Sequence, residues 1–257
     1  MKDLYSVLRE GSCATQRIIV GFSGGKDSVA MLDLCKEYFK DVYAFNMYFV
    51  DKLQLQEGYF RYIEDKYQVK ILRLPHFELS RIYQTQDSMH RSFELDKVPT
   101  IYFSDVENYV RDFFKCKWIA YGMMACESIE RNAMLKNNNG CDYEYAKLYP
   151  LAFWNNQKVY AYLKTKNIHL PPEYYISGRS ANNPFVDLTQ ILLKTYYPTD
   201  WERVMYKFPL AETVFAKQAY QYQRWVNNGK PERKKVKRKQ AGTDEVSNLH
   251  ADAGKAE

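Results

Sequence analysis

Two glycines, two hydroxyls, a lysine and an aspartate crowd into six consecutive positions, Ser23-Gly24-Gly25-Lys26-Asp27-Ser28. Gly24 and Gly25 lack a Cβ and tolerate positive φ, so the backbone there can turn sharply and come close to an anion. A helix starting near Asp27 would offer its first N–H groups, which have no partner within the helix, and the positive end of its dipole to a phosphate. Ser23 and Ser28 add hydroxyl donors and Lys26 adds a full charge. Asp27 is suited to hold a magnesium ion or to cap the helix. The spacing is not that of the Walker loop, which needs a glycine where Val20 stands and a Ser or Thr where Asp27 stands. A Gly-Gly turn capped by Ser and Asp also joins a strand to a helix without binding anything. The coincidence of lysine, hydroxyls and glycines favours the anion.

A second cluster follows Gly122: Glu127, Ser128 and Arg131. Ser128 and Arg131 are three apart, share a helical face, and would reach phosphate or sulfate oxygens together, Arg131 as a fork of donors. The alternative is an ordinary Glu127–Arg131 pair on a solvated helix face. The five cysteines (Cys13, Cys35, Cys116, Cys126, Cys141) are odd in number and lack any C-x-x-C spacing, so they read as reduced thiols rather than a disulfide framework or zinc ribbon.

The elements that must position these residues can be read from periodicity. Arg17–Phe22 is a short β-branched apolar run, a buried strand ending at the glycine loop. In 27–40, Ala30, Met31, Leu34, Cys35 and Tyr38 recur at helical spacing. A strand over 42–50, a helix over 54–67 and a strand over 69–74, stopped by Pro75, continue the alternation. Ser104-Asp105-Val106-Glu107 reads as a capping box opening a helix to about 115, and 117–121 as a strand ending at Gly122. Such alternation predicts a parallel, Rossmann-like α/β sheet with right-handed crossovers. Ligands of such sheets lie outside the carboxyl ends of the strands, which puts Ser23–Ser28 and Gly122 in one crevice.

Beyond that point, 137–140 is a turn, 143–149 a strand and 156–166 a helix ended by Pro171-Pro172. Turn formers fill 177–184. Helices follow over 188–196, 200–206 (opened by Thr199-x-x-Glu202) and 211–227. This divides the chain into a nucleotide-binding α/β domain (1–150), a helical C-terminal extension packed on it (151–229) and a disordered basic tail (230–257).

Composition bounds the function classes. With 257 residues, 46% apolar and 26% charged, the chain suits one α/β core with an appendage. Its 23 Tyr and 14 Phe are scattered rather than clustered, which points to packing over a base-stacking surface. The net charge of +6 equals that of 230–239 alone, where seven basic residues face Glu232. The body is therefore close to neutral, unlike a protein built around a nucleic-acid groove. The tail suits a nucleic acid or an acidic partner, with steep salt dependence, or serves as a solubilising end. Neither an apolar leader nor a run of roughly 18 apolar residues is present, so a cytoplasmic protein without a membrane segment is expected.

The loop resembles the pyrophosphate loop, S-G-G-x-D-S, of the adenine nucleotide α-hydrolase superfamily, whose members cleave or use ATP between the α and β phosphates. Within it the chain is most similar to the phosphoadenosine phosphosulfate (PAPS) reductase family. The likeness extends to Tyr121-Gly122-Met123-Met124-Ala125-Cys126-Glu127-Ser128-Ile129-Glu130-Arg131, to Tyr149-Pro150-Leu151-Ala152-Phe153-Trp154 with the helix over 159–163, and to Pro172-x-x-Tyr175. It covers roughly residues 15–210. The resemblance implies an adenine nucleotide, ATP or PAPS, with Mg2+, bound by Ser23, Gly24, Gly25, Lys26, Asp27, Ser28, Gly122 and Ser128. It also implies Asp27 at the metal, and Lys26 and Arg131 as the charges that stabilise a leaving pyrophosphate. Two segments depart from the family pattern. Gly178–Phe185 stands where reductases carry E-C-G-x-H, and Phe45–Asp51 lacks Asp-Thr-Gly. Reduction needs an activated thiolate, and Cys126, the cysteine beside the crevice, has no histidine near it in sequence. The resemblance therefore implies a PP-loop enzyme acting at the α-phosphate of ATP, a pyrophosphatase or adenylating transferase with an unknown acceptor and no iron–sulfur cluster. A PAPS reductase that borrows its thiol and a non-catalytic nucleotide-binding partner protein are the alternatives.

Overall fold

Ile18, Ile19 and Val20 are all fully buried. A strand apolar on both faces belongs at the centre of a parallel sheet. The computed structural model, which describes residues 2–213 except 87, 179, 181 and 182, places it there. In chain order the elements are α1 (Leu4–Ala14), β1 (Arg17–Gly21), α2 (Lys26–Tyr38), β2 (Asp41–Tyr48), α3 (Gln54–Tyr67), β3 (Ile71–Pro75), α4 (Glu78–Thr85), α5 (Phe103–Phe114), β4 (Ile119–Ala120), α6 (Ile129–Asn138), β5 (Cys141–Asp142), β6 (Lys147–Leu148), α7 (Asn156–Thr165), α8 (Pro172–Ser177), α9 (Asp187–Tyr196) and α10 (Pro198–Lys207).

The sheet runs β3-β2-β1-β4-β6-β5. Every pairing is parallel except β5 with β6 at the edge. Strand order walks from β1 out to β3, then jumps back across β1 to β4. That reversal opens a crevice between the carboxyl ends of β1 and β4, the switch point of the fold.

Alternation along β1 sorts its side chains into two layers. Ile18 and Val20 join Leu8, Met31, Leu34, Ile63 and Leu163 on the α1, α2, α3 and α7 face. Ile19 joins Phe45, Val110, Ile119 and Leu135 on the α5 and α6 face. A third cluster gathers Leu192, Leu193 and Val204 of α9 and α10 with Phe49, Leu55 and Leu79. The α/β, Rossmann-like class is the one the sequence predicts.

Several local expectations are corrected. Helix α5 begins at Phe103, and the amide of Tyr102 donates to the Asp105 carboxylate (2.7 Å), so Ser104 and Glu107 form no capping box. Glu107 is instead buried, accepting from the Tyr121 hydroxyl (2.8 Å) and pairing with Lys147 (2.7 Å). Helix α10 starts at Pro198 rather than on Thr199-x-x-Glu202, because Asp200 is drawn inward to accept the Leu55 amide (2.9 Å). Pro172 opens α8 as well as closing the stretch before it, as suits a residue with no N–H in a first turn. The strands expected over 117–121 and 143–149 contract to Ile119–Ala120 and Lys147–Leu148. Helices α1 and α4 lie outside every expected element. From residue 214 on, the helix expected to 227 and the tail 230–257 fall outside the described residues. Among the described residues no helix is long and apolar enough to cross a membrane.

Candidate functional site

The loop after β1 is held from three sides. The Phe22 amide donates to the Phe45 carbonyl (2.8 Å), and buried Asn46 donates its side-chain amide to the Phe22 carbonyl (2.9 Å). The peptide entering Ser23 is thereby fixed against β2. Gly24 then turns with φ +80°, and a Cβ there would lie 2.7 Å from the Phe60 ring, so glycine is required both for conformation and for space. Gly25 caps α2 without a side chain.

The two hydroxyls serve the loop itself. The Gly25 amide donates to Ser23 Oγ (3.3 Å), Ser23 donates to Ser28 Oγ (3.2 Å), and Ser28 donates to the Gly25 carbonyl (2.8 Å). The loop is therefore preorganised around the first turn of α2. Its first helical amide, that of Lys26, donates to the hydroxyl of Tyr174 on α8 (3.1 Å). Tyr174 and Ser180 also stand over Gly25, where a Cβ would meet them at 3.4 and 3.9 Å. The neighbouring Tyr175, singled out in the sequence, is exposed.

Lys26 is buried, its ammonium 2.6 Å from Asp27 Oδ2 and 5.8 Å from the centre of the Tyr160 ring. Burial pushes the Asp27 carboxyl above the ordinary carboxylate range against the pull of Lys26, and the charge of Glu127 pushes the same way. Asp27 Oδ1 is buried without a hydrogen-bond partner among the described residues. A hard, unpartnered carboxylate oxygen at a helix N-terminus fits a magnesium ion, which takes one or two carboxylates and completes its shell with water and substrate phosphates.

Gly122 abuts this loop across the switch point: a Cβ on it would lie 2.8 Å from the Asp27 carbonyl oxygen. The segment that follows brings Ser128 and Arg131 together, though each is engaged locally. Ser128 caps α6 by accepting the Arg131 amide (3.1 Å), and the Arg131 guanidinium pairs with Glu127 on a half-exposed surface. Glu127 also accepts the Met124 amide (3.1 Å).

Beside Ser23 opens a cavity of about 450 Å³ along the carboxyl ends of β1, β2 and β3. Phe22, Phe45, Phe49, Phe77, Phe103 and Tyr121 make its walls aromatic, and Asn46, His76 and Glu78 supply polar groups. His76 is stacked between Phe49 (4.4 Å) and Phe77 (4.7 Å), and its Nδ1 accepts the Glu78 amide (3.3 Å). Burial lowers the His76 pKa, with Glu78 opposing. Asn46, His76 and Glu78 were not singled out by sequence reasoning. The signal for the last two was Pro75, which ends β3 and so puts the residues after it at the ligand-binding edge of the sheet. Cys126 is exposed, its thiol donating to the Trp154 carbonyl (3.6 Å). Among the described residues, no group of three or more His, Cys, Asp or Glu side chains could hold a metal ion.

Comparison with known proteins gives one family match: the phosphoadenosine phosphosulfate reductase domain matches residues 17–178. No curated protein matches the chain. Among solved structures, the chain is similar to an NH3-dependent NAD synthetase from Campylobacter jejuni in complex with the nitrate ion. That likeness has 15% identity, 86% of this chain and 97% of that chain covered, and a TM-score of 0.42. It is similar also to the U34-tRNA thiolase NcsA from Methanococcus maripaludis with its 4Fe-4S cluster. Here identity is 14%, coverage 81% and 79%, and the TM-score 0.41.

Proposed function

The chain belongs to the phosphoadenosine phosphosulfate reductase domain family, and from that membership we propose that it binds an adenine nucleotide and acts on ATP at its α-phosphate. The observation that carries this reading is the adjacency of an aromatic cavity of nucleoside size and a glycine turn that opens a helix, with Ser23 common to both. The purine and ribose occupy the cavity, whose volume lies within the usual range for ligand sites. The phosphates lie on Gly24–Ser28, at the N-terminus of α2, where dipole and amides favour negative charge.

In this arrangement Lys26 leaves Asp27 for the β-phosphate side and stabilises the charge that develops on departing pyrophosphate. Asp27 holds magnesium, which supplies charge neutralisation on the phosphates when bound. Arg131 adds a second charge when it exchanges Glu127 for the nucleotide. Ser23 and Ser28 fix the loop's shape, and Gly122 leaves room for Asp27. The product is pyrophosphate together with an adenylated acceptor or water-derived AMP.

The test is release of pyrophosphate from ATP and Mg2+ by the purified protein, which the reading requires. Sulfite formation from PAPS with thioredoxin would replace it with the reductase reading. Nucleotide binding without any turnover would leave a nucleotide-binding partner protein.

A further inference from the structure

Whether the cavity suits ATP or a nucleotide with a further phosphate on its ribose 2′- or 3′-hydroxyl depends on the charges on its walls. We infer that it accepts adenine nucleotides whose ribose 2′- and 3′-hydroxyls are free and rejects those phosphorylated at either, with Glu78 setting the choice. This inference rests on the reading that the nucleoside lies in the cavity beside Ser23.

A ribose phosphate carries between one and two negative charges, and burying it requires a cation or several free donors. Of the described residues that line the cavity, none is a lysine or arginine. The imidazole among them, His76, is disfavoured as a cation, because burial between two phenyl rings lowers its pKa. Lys207 touches this wall from behind, but its ammonium donates to the Phe49 carbonyl (2.7 Å) and is not part of the lining.

Helix α4 begins at the cavity edge, and a free helix N-terminus there would attract an anion. Its opening amides are already taken. That of Glu78 donates to His76 Nδ1 (3.3 Å), that of Leu79 to the His76 carbonyl (2.9 Å) and that of Ser80 to the Phe77 carbonyl (3.2 Å). What remains at this edge is a carboxylate: Glu78, with 53% of its side chain exposed and Oε2 3.7 Å from His76 Nδ1. A carboxylate accepts hydrogen bonds from ribose hydroxyls and repels a phosphate in their place, the same selection by which dinucleotide folds prefer the unphosphorylated ribose.

The experiment is calorimetric titration of the full chain with AMP and with adenosine 3′,5′-bisphosphate, which differ only in the 3′-phosphate. AMP is expected to bind at least tenfold more tightly. Glu78→Gln is expected to narrow that ratio and Glu78→Arg to invert it, and the exposure of the side chain lets both variants fold, as circular dichroism would verify. Equal or tighter binding of the bisphosphate, or a ratio unmoved by both substitutions, would overturn the inference while leaving nucleotide binding intact. Failure of the wild-type chain to bind ATP, AMP or the bisphosphate would instead remove the nucleotide reading and this inference with it.

Discussion

Replacing Gly122 by alanine tests whether the second half of the sheet shapes the phosphate loop. The added Cβ would lie 2.8 Å from the Asp27 carbonyl oxygen, 2.9 Å from its carbonyl carbon and 3.2 Å from its Cβ. The first two are backbone atoms of the opening turn of α2, which packs on β1 and α7, so no flexible side chain can absorb the contact. Overpacking of this kind costs about 1–3 kcal/mol, which for a domain of this size lowers Tm by roughly 4–8 °C in the middle of that range. The turn must also give by a few tenths of an ångström, carrying Asp27 and Lys26 away from the positions proposed for the phosphates. A loss of ATP affinity of about tenfold, or roughly 1.4 kcal/mol, is expected. Thermal unfolding and calorimetric titration measure the two effects. Gly58→Ala is the control: Gly58 is exposed within α3 and a Cβ there meets nothing within 4 Å, so it is expected to gain about 0.5–1 kcal/mol of stability with ATP affinity unchanged. A Gly122→Ala protein that melts and binds ATP like the wild type would refute the close-approach argument. One that is destabilised yet binds normally would separate Gly122 from the nucleotide site.

Lys26→Ala is expected to weaken ATP binding at least tenfold by calorimetry, since it removes the buried ammonium at the helix start; unchanged affinity would count against the site. The magnesium role proposed for Asp27 requires its carboxylate form, and burial raises its pKa. The magnesium-dependent part of ATP affinity should therefore fade as pH drops through a value above the ordinary 3.8, and Asp27→Asn should abolish that part at every pH; titrations with and without Mg2+ read both. Tyr174→Phe takes away the hydroxyl that accepts the Lys26 amide. Because one hydrogen bond contributes about 0.5–1.5 kcal/mol, pyrophosphate is expected to bind roughly 2- to 10-fold more tightly to this variant, and weaker binding would make Tyr174 a ligand instead of a competitor.

The parts legible in the sequence are those whose determinants are contiguous. The order β1-α2-β2-α3-β3 follows from runs such as Arg17–Gly21 and from the apolar stripe of α2, and the glycine loop is six consecutive residues. Helix α1 carried its own signal, since Leu4, Val7, Leu8 and Gly11 are the buried positions at spacings of three and four, but the polar residues between them hid it. The capping box at Ser104 was misplaced because Glu107 answers to Lys147 and Tyr121, partners that no local pattern reveals. Tyr174 lies 148 residues from Lys26, and His76 belongs to no motif. Such residues acquire a role only when the sheet brings strand ends and α8 to one edge.

At that edge the loop's charged and polar groups are already paired within the protein. A buried ammonium or helix amide without a partner is costly. Here both have one, Asp27 for the Lys26 ammonium and Tyr174 for the Lys26 amide, and the half-exposed Arg131 pairs with Glu127. On the proposed reading polyphosphate would displace all three partners, so only the difference between its contacts and theirs would show up as affinity. Two of the partners are carboxylates, and Glu127 already disfavours the charged form of Asp27. Bringing a nucleotide alone would add negative charge to negative charge. On the proposed reading, magnesium arriving with the nucleotide would be held by Asp27 while Lys26 and Arg131 turn to the phosphates, so the magnesium complex rather than the bare nucleotide is the expected ligand.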